Sequence, residues 1–183
     1  VVAISSIGWA KDNNINVIMW IPTVNALKLR FEAYKTKRSE VTKKHVPLGE
    51  GVTLVRDMYV AETMEEAKEM AGEHMVNYMK WVCHWRGLGN HMDPGEELPE
   101  TKGKLDLLNY EFLHQRNMLF GTPEYVIDKI HELKSELNLQ NLQVWSNFPG
   151  VKHKDCMKSI KLFTEKVMPH FKDDLDTEVK KVS

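Results

Sequence analysis

Leu54-Val55-Arg56-Asp57-Met58-Tyr59-Val60-Ala61-Glu62-Thr63-Met64-Glu65-Glu66-Ala67 changes character half-way, and that change decides the fold. The run Val52–Val60 reads as a strand. Thr63-Met64-Glu65-Glu66 is a capping box, in which the Thr hydroxyl and the Glu carboxylate each satisfy a backbone N–H at a helix start. The helix it opens buries Ala67, Met70, Ala71, Met75, Tyr78 and Val82. A strand that runs straight into an amphipathic helix is one βα unit.

The same unit recurs on both sides. Upstream, Val1–Ile4 reads as the end of a strand, followed by Ser5, Ser6 and a short helix through Ile7, Trp9 and Ala10. Val17–Ile21 is the next strand, stopped by Pro22. Thr23 then caps a helix with Val24, Leu27, Phe31 and Tyr34 on one face, and residues 36–51 read as helix end plus loop. Downstream, Arg86 to Lys104 carries Gly87, Gly89, Pro94, Gly95, Pro99 and Gly103 and reads as a long inserted loop. A short helix follows over Leu105–Leu113, and Asn117–Phe120 is a short strand. Thr122-Pro123-Glu124 is a helix start, with Val126, Ile130, Leu133 and Leu137 as its buried stripe. Leu142–Phe148 is the last strand, and a final helix over about 155–171 buries Cys156, Ile160, Phe163 and Val167.

This alternation predicts an α/β fold with parallel strands and right-handed crossovers. By itself it leaves an open sheet and a barrel both possible. It also predicts a domain over residues 1–171 and a charged tail over 172–183. The chain opens mid-strand with no initiator Met, and so reads as a fragment or a processed product.

Composition excludes several classes of function. The 25 basic and 26 acidic residues give a net charge of −1, so no field recruits nucleic acid or an anionic membrane. No apolar run reaches the ~18 residues of a membrane span. Cys83 and Cys156 form no C-x-x-C pair and read as reduced, buried thiols of a cytoplasmic protein. His84 reads as a helix-end residue facing the C-terminal dipole, and no neighbour supplies metal-ligand spacing. His91 and His114 flank the long loop. Met70, Met75 and Met79 sit at core spacing. Ser5-Ser6, between a strand and a helix N-terminus, can either cap the helix or hold a phosphate.

Four segments together resemble the bacterial luciferase-like flavin-dependent monooxygenases. Ser5-Ser6-Ile7-Gly8-Trp9-Ala10, followed by Val17–Ile21, resembles the family's strand 5 to strand 6 region. Arg56 to Ala67 is similar to its R-x-x-Y-V-A-E-T-x-E-E-A segment, and Gly121-Thr122-Pro123-Glu124-Tyr125-Val126 to its G-T-P-E-x-V helix start. Leu142–Phe148, with Ser159 to Phe163 and Val167-Met168-Pro169, resembles its last strand and helix.

The resemblance implies the C-terminal half of a (β/α)₈ TIM-type barrel with an inserted loop, since a whole barrel takes ~250 residues. It implies an enzyme that uses reduced FMN and O₂ to oxygenate a small organic substrate, with a flavin reductase as a possible partner. An F420-dependent oxidoreductase and a truncated, non-catalytic flavin- or partner-binding relative are the alternatives. Ser6, and more weakly Ser5, match the position that contacts the flavin phosphate, although Ala3 stands where the family often has another Ser. The family's catalytic side chains fall on the first half of the barrel, so no catalytic residue and no metal ligand is expected here. Half a barrel has open edges, so a homo-oligomer or a complementing N-terminal half is expected.

Overall fold

The computed structural model describes residues 15–97 and 105–172. The strand and helix expected over 1–10, with Ser5 and Ser6, lie outside the described residues, as do most of the tail and the end of the long loop.

Four strands are described: β1 Val17–Trp20, β2 Val52–Val60, β3 Met118–Gly121 and β4 Asn141–Trp145. All three pairings are parallel, and each includes β2. Val17–Trp20 pair with Val52–Val55, Met118–Gly121 with Asp57–Val60, and Asn141–Trp145 with Thr53–Asp57. A strand has two edges. Thr53 to Val55 pair with β1 and β4 at once, so those two lie on opposite edges. Asp57 pairs with both Met118 and Trp145, so β3 and β4 are also opposite. It follows that β1 and β3 succeed one another along the same edge of β2.

The helices are those the apolar spacing predicts, with adjusted ends. Helix α1 (Val24–Thr42) runs further than expected, to Lys43 in the left-handed conformation at φ 52°. Thr42 Oγ1 donates to the Arg38 carbonyl at 2.9 Å, and Arg38 donates to Asn16 Oδ1 at 2.9 Å, which holds this last turn. One helical run over 64–86 comprises α2 (Met64–Ala67), a π turn at Lys68–Gly72 and α3 (Glu73–Arg86).

The helix expected over 105–113 is displaced: Leu105 to Leu107 form a turn, and α4 is Tyr110–Asn117. Asn109 sets its start by accepting the Phe112 N–H at 2.9 Å. Helix α5 is Pro123–Leu137, capped by Thr122 as expected. Helix α6 (His153–Leu162) continues into a π turn at Phe163–Val167 and a 3₁₀ turn at Met168–Phe171. Strand β4 stops at Trp145 rather than Phe148, because Trp145 donates its indole N–H to the Asn147 carbonyl at 2.8 Å and turns the chain.

Strand β2 is buried almost end to end, as a parallel strand covered on both faces is. Val52, Leu54, Met58 and Val60 join Leu27, Phe31 and Tyr34 of α1 and Val126, Ile130, Leu133 and Leu137 of α5 in one core. Tyr59 and Ala61 point the other way. They join Ala67, Ala71, Met75, Met79 and Cys83 of the 64–86 run, with Leu113, Met118 and Phe120, in a second core. Cys83 and Cys156 are both free and buried.

Candidate functional site

Alternation along the strands puts Ile18 and Trp20 of β1, Thr53, Val55 and Asp57 of β2, and Gln143 and Trp145 of β4 on one sheet face. This inner face turns away from α1 and α5. In a parallel α/β sheet, function collects at the carboxyl ends of the strands. There the face carries Trp20, Asp57 and Trp145. The two indoles stack with centroids 6.0 Å apart and planes 15° apart. Tyr78, from α3, stands 6.1 Å from Trp20 and 6.5 Å from Trp145.

Asp57 lies beside this aromatic group, 4% exposed. Its Oδ2 accepts the Trp20 indole N–H at 3.1 Å, and Oδ1 has no partner among the described residues. Burial pushes the carboxyl up to about 7, against the opposing pull of the Trp20 hydrogen bond and the Arg56 charge. The group is therefore near its midpoint at neutral pH, as proton-handling groups are.

The end of β1 is strained and clamped. Ile21 has φ 85°, a conformation that β-branched residues rarely adopt. The amide of Asn117 donates to the Ile21 carbonyl at 2.6 Å, and the buried Arg56 donates to the Pro22 carbonyl at 2.7 Å. Asn117 is also 3.0 Å from His91 Nδ1, so with the amide nitrogen donating, His91 accepts. Burial, with the charges of Arg56 and Arg116, drives the His91 imidazole down to about 4. His91 is thus a neutral, buried brace for the β1 turn. Burial likewise lowers Arg56, to about 10.

The other candidate residues are structural. His114 donates Nε2–H to the Phe120 carbonyl at 2.7 Å, its ring stacked between Tyr110 and Tyr125 at 5.1 Å each. His84 is exposed in the last turn of α3. Met75 and Met79 are core residues, and Met70 packs beside them. Among the described residues no group of three His, Cys, Asp or Glu side chains could hold a metal ion, and no helix is long and apolar enough to cross a membrane. Ser5 and Ser6 lie outside the described residues, so their geometry adds nothing to this site.

Sequence reasoning missed Arg56, Asp57, His91 and Asn117 as a group. An adjacent Arg-Asp pair inside an otherwise apolar strand was the available signal, because buried charges need partners.

No protein-family model matches the sequence, and no curated protein sequence matches it. Solved structures do. The oxygenating constituent of 3,6-diketocamphane monooxygenase from Pseudomonas putida, in complex with FMN, matches at TM-score 0.67 and 19% identity, over 90% of this chain and 45% of that one. The coenzyme F420 dependent tetrahydromethanopterin reductase from Methanopyrus kandleri matches at TM-score 0.59 and 16% identity, over 93% of this chain and 49% of that one. The chain has the fold of the luciferase-like monooxygenases. It spans about half the length of these two structures, and is the C-terminal half of their TIM-type barrel. Flavoprotein 390 matches at TM-score 0.57 and 15% identity, with 94% of this chain and 65% of that one covered. In this luciferase-like half-barrel, Trp20, Asp57 and Trp145 share the sheet face that turns away from α1 and α5.

Proposed function

We propose that this chain is the C-terminal part of a flavin-dependent monooxygenase that takes reduced FMN and O₂ and oxygenates a small organic substrate in the cytoplasm. The fold is the observation that carries the reading, because its solved neighbours include flavin- and F420-dependent oxidoreductases. The bound flavin would supply the redox chemistry, and a separate flavin reductase would supply the reduced flavin. Ser6, assisted by Ser5, would hold the phosphate with its hydroxyl and the neighbouring backbone N–H groups. FMN is the first reading, supported by a solved neighbour in complex with FMN. Hydride transfer with F420, with no need of O₂, is the second reading, favoured by the reductase neighbour. A non-catalytic flavin- or partner-binding relative is the third.

Ser6→Ala in the full-length protein should weaken FMN binding roughly ten- to a hundredfold, the worth of one hydrogen bond to a charged group. Riboflavin, which lacks the phosphate, should be affected much less. Equal weakening of the two flavins in a fluorescence titration would make Ser6 only a helix cap.

We also propose that the inner face is closed by a second copy or by the other half of a barrel. Ile18, on that face of β1, is 55% exposed and leaves apolar surface uncovered. The 183-residue chain by itself should then self-associate in light scattering. A sharp monomer peak with cooperative unfolding would refute this.

A further inference from the structure

Both indoles on the inner face are fixed by hydrogen bonds. Trp20 donates its N–H to Asp57, and Trp145 donates its N–H to the Asn147 carbonyl. Trp20 backs Trp145 from one side, and Tyr78 closes another. Tyr78 in turn stacks on Trp81, with centroids 6.3 Å apart. Yet Trp145 remains 45% exposed.

An exposed ring held this way has already lost its rotamer freedom, so a ligand that lands on it need not order it. Packing the apolar core does not require the arrangement, since Trp145 is not part of either core. Polar groups lie beside it. Gln143, two residues earlier on β4 and exposed, shares the face and offers an amide donor and acceptor. Asp57, opposite Trp145 in the register, is buried and acts from beneath, by holding the Trp20 indole. An aromatic wall with a few polar groups, at the carboxyl ends of barrel strands, has the composition of a ligand site.

We propose that the outer face of Trp145 is a stacking platform for a planar aromatic ring whose hydrogen-bonding edge meets Gln143. Two sources share that chemistry, a flavin ring and a planar aromatic substrate. The inference goes beyond the monooxygenase reading, because it fixes the chemistry of the ligand on one residue and holds whichever reaction follows. An aliphatic ligand gains only apolar burial from two pre-oriented rings, whereas a planar ring adds stacking that tolerates different substituents.

The test uses two probes on the purified protein. Riboflavin is a flavin ring without a phosphate, and 2-hydroxyquinoline is a planar ring with a polar edge and no flavin. Each is titrated by quenching of tryptophan emission and by calorimetry. At least one should bind, and Trp145→Leu should weaken that probe roughly tenfold or more. Trp145→Phe, which keeps a ring, should lose distinctly less. Far-UV circular dichroism should be unchanged in both variants, since Trp145 lies outside the cores, and loss of the bond to the Asn147 carbonyl should lower the thermal midpoint only slightly. Riboflavin binding that depends on Trp145 supports the proposal and assigns the platform to a flavin. Dependence seen for 2-hydroxyquinoline alone supports it and assigns the platform to substrate. Binding of neither probe, or unaltered binding by Trp145→Leu, overturns it. The Ser6 experiment fails differently, by losing the distinction between FMN and riboflavin.

Discussion

Arg56→Ala should destabilise the fold by about 3–5 kcal/mol, the range for emptying a large buried site and leaving buried polar partners unpaired. The Arg56 side chain is 2% exposed and sits under the β1 turn, where its guanidinium donates to the Pro22 carbonyl. Removing it leaves a cavity, an unpaired carbonyl and a strained Ile21 held by Asn117 alone. Arg56→Met fills most of the volume and buries no charge, so it should recover more than half of the loss. The same variant takes a positive charge away from Asp57, and should raise that carboxyl's pKa further. Urea unfolding at pH 7 measures the stability changes, and its repetition across pH reads the shift at Asp57. An Ala variant within about 1 kcal/mol of wild type would mean that the clamp contributes no more than a typical surface contact.

Asp57→Asn should change how stability depends on pH. In the fold the Asp57 proton is held to about pH 7, whereas an unfolded Asp releases it near ~3.9. Between those values the folded chain binds more protons than the unfolded one. The Asp57 contribution is therefore complete below about pH 4 and is lost as pH rises through about 7. His91 acts in the opposite sense. Its folded value is about 4, against ~6.5 unfolded, so its contribution is present above about pH 6.5 and is lost as pH falls through about 4. Each is worth at most about 3–4 kcal/mol at ~1.36 kcal/mol per unit. In the wild type the two slopes offset each other between about pH 4 and 6.5. Asp57→Asn, whose amide oxygen can still accept from Trp20, should unmask a stability that rises with pH over that interval. His91→Gln should unmask the reverse. Urea midpoints across this range would show it, and an Asp57→Asn curve parallel to wild type would mean that the carboxyl ionises normally.

Local chemistry was legible where it is self-contained. Thr23, Thr63 and Thr122 each accept a backbone N–H at the helix starts where the sequence places them. Even there, Glu66 reaches back to the Glu62 N–H rather than to that of Thr63, a choice made by the path of the preceding chain. The stripe Val126, Ile130, Leu133 and Leu137 is buried throughout, because a strong 3.6 period has one way to face a core. The parallel pairing of Val52–Val60 with the last strand followed from the βα alternation.

The site was less legible, because its groups meet only in three dimensions. Asn117 and Ile21 are 96 positions apart, and nothing near Ile21 announces a positive φ. The sequence places His91 beside a long loop, where it could face a pocket, yet it is 1% exposed because a 3₁₀ turn tucks it under Asn117. The π turns at Lys68–Gly72 and Phe163–Val167 leave no mark in apolar spacing, since each shifts the helix phase by less than the width of its buried stripe.

Every ladder in the described sheet runs through β2, and this sets the order in which the chain can fold. Val17 and Val52 are 35 residues apart, Asp57 and Met118 are 61, and Thr53 and Asn141 are 88. No two of the outer strands can form a sheet and wait for the third. Each must close its own long loop onto the one central strand, and the loop-closure entropy is lost before the contacts repay it. A chain emerging from the ribosome would therefore hold β2 with one open edge until β4 was released. Refolding should be slow for the chain's size, and an antibody or peptide that caps β2 would halt assembly at its first step rather than its last.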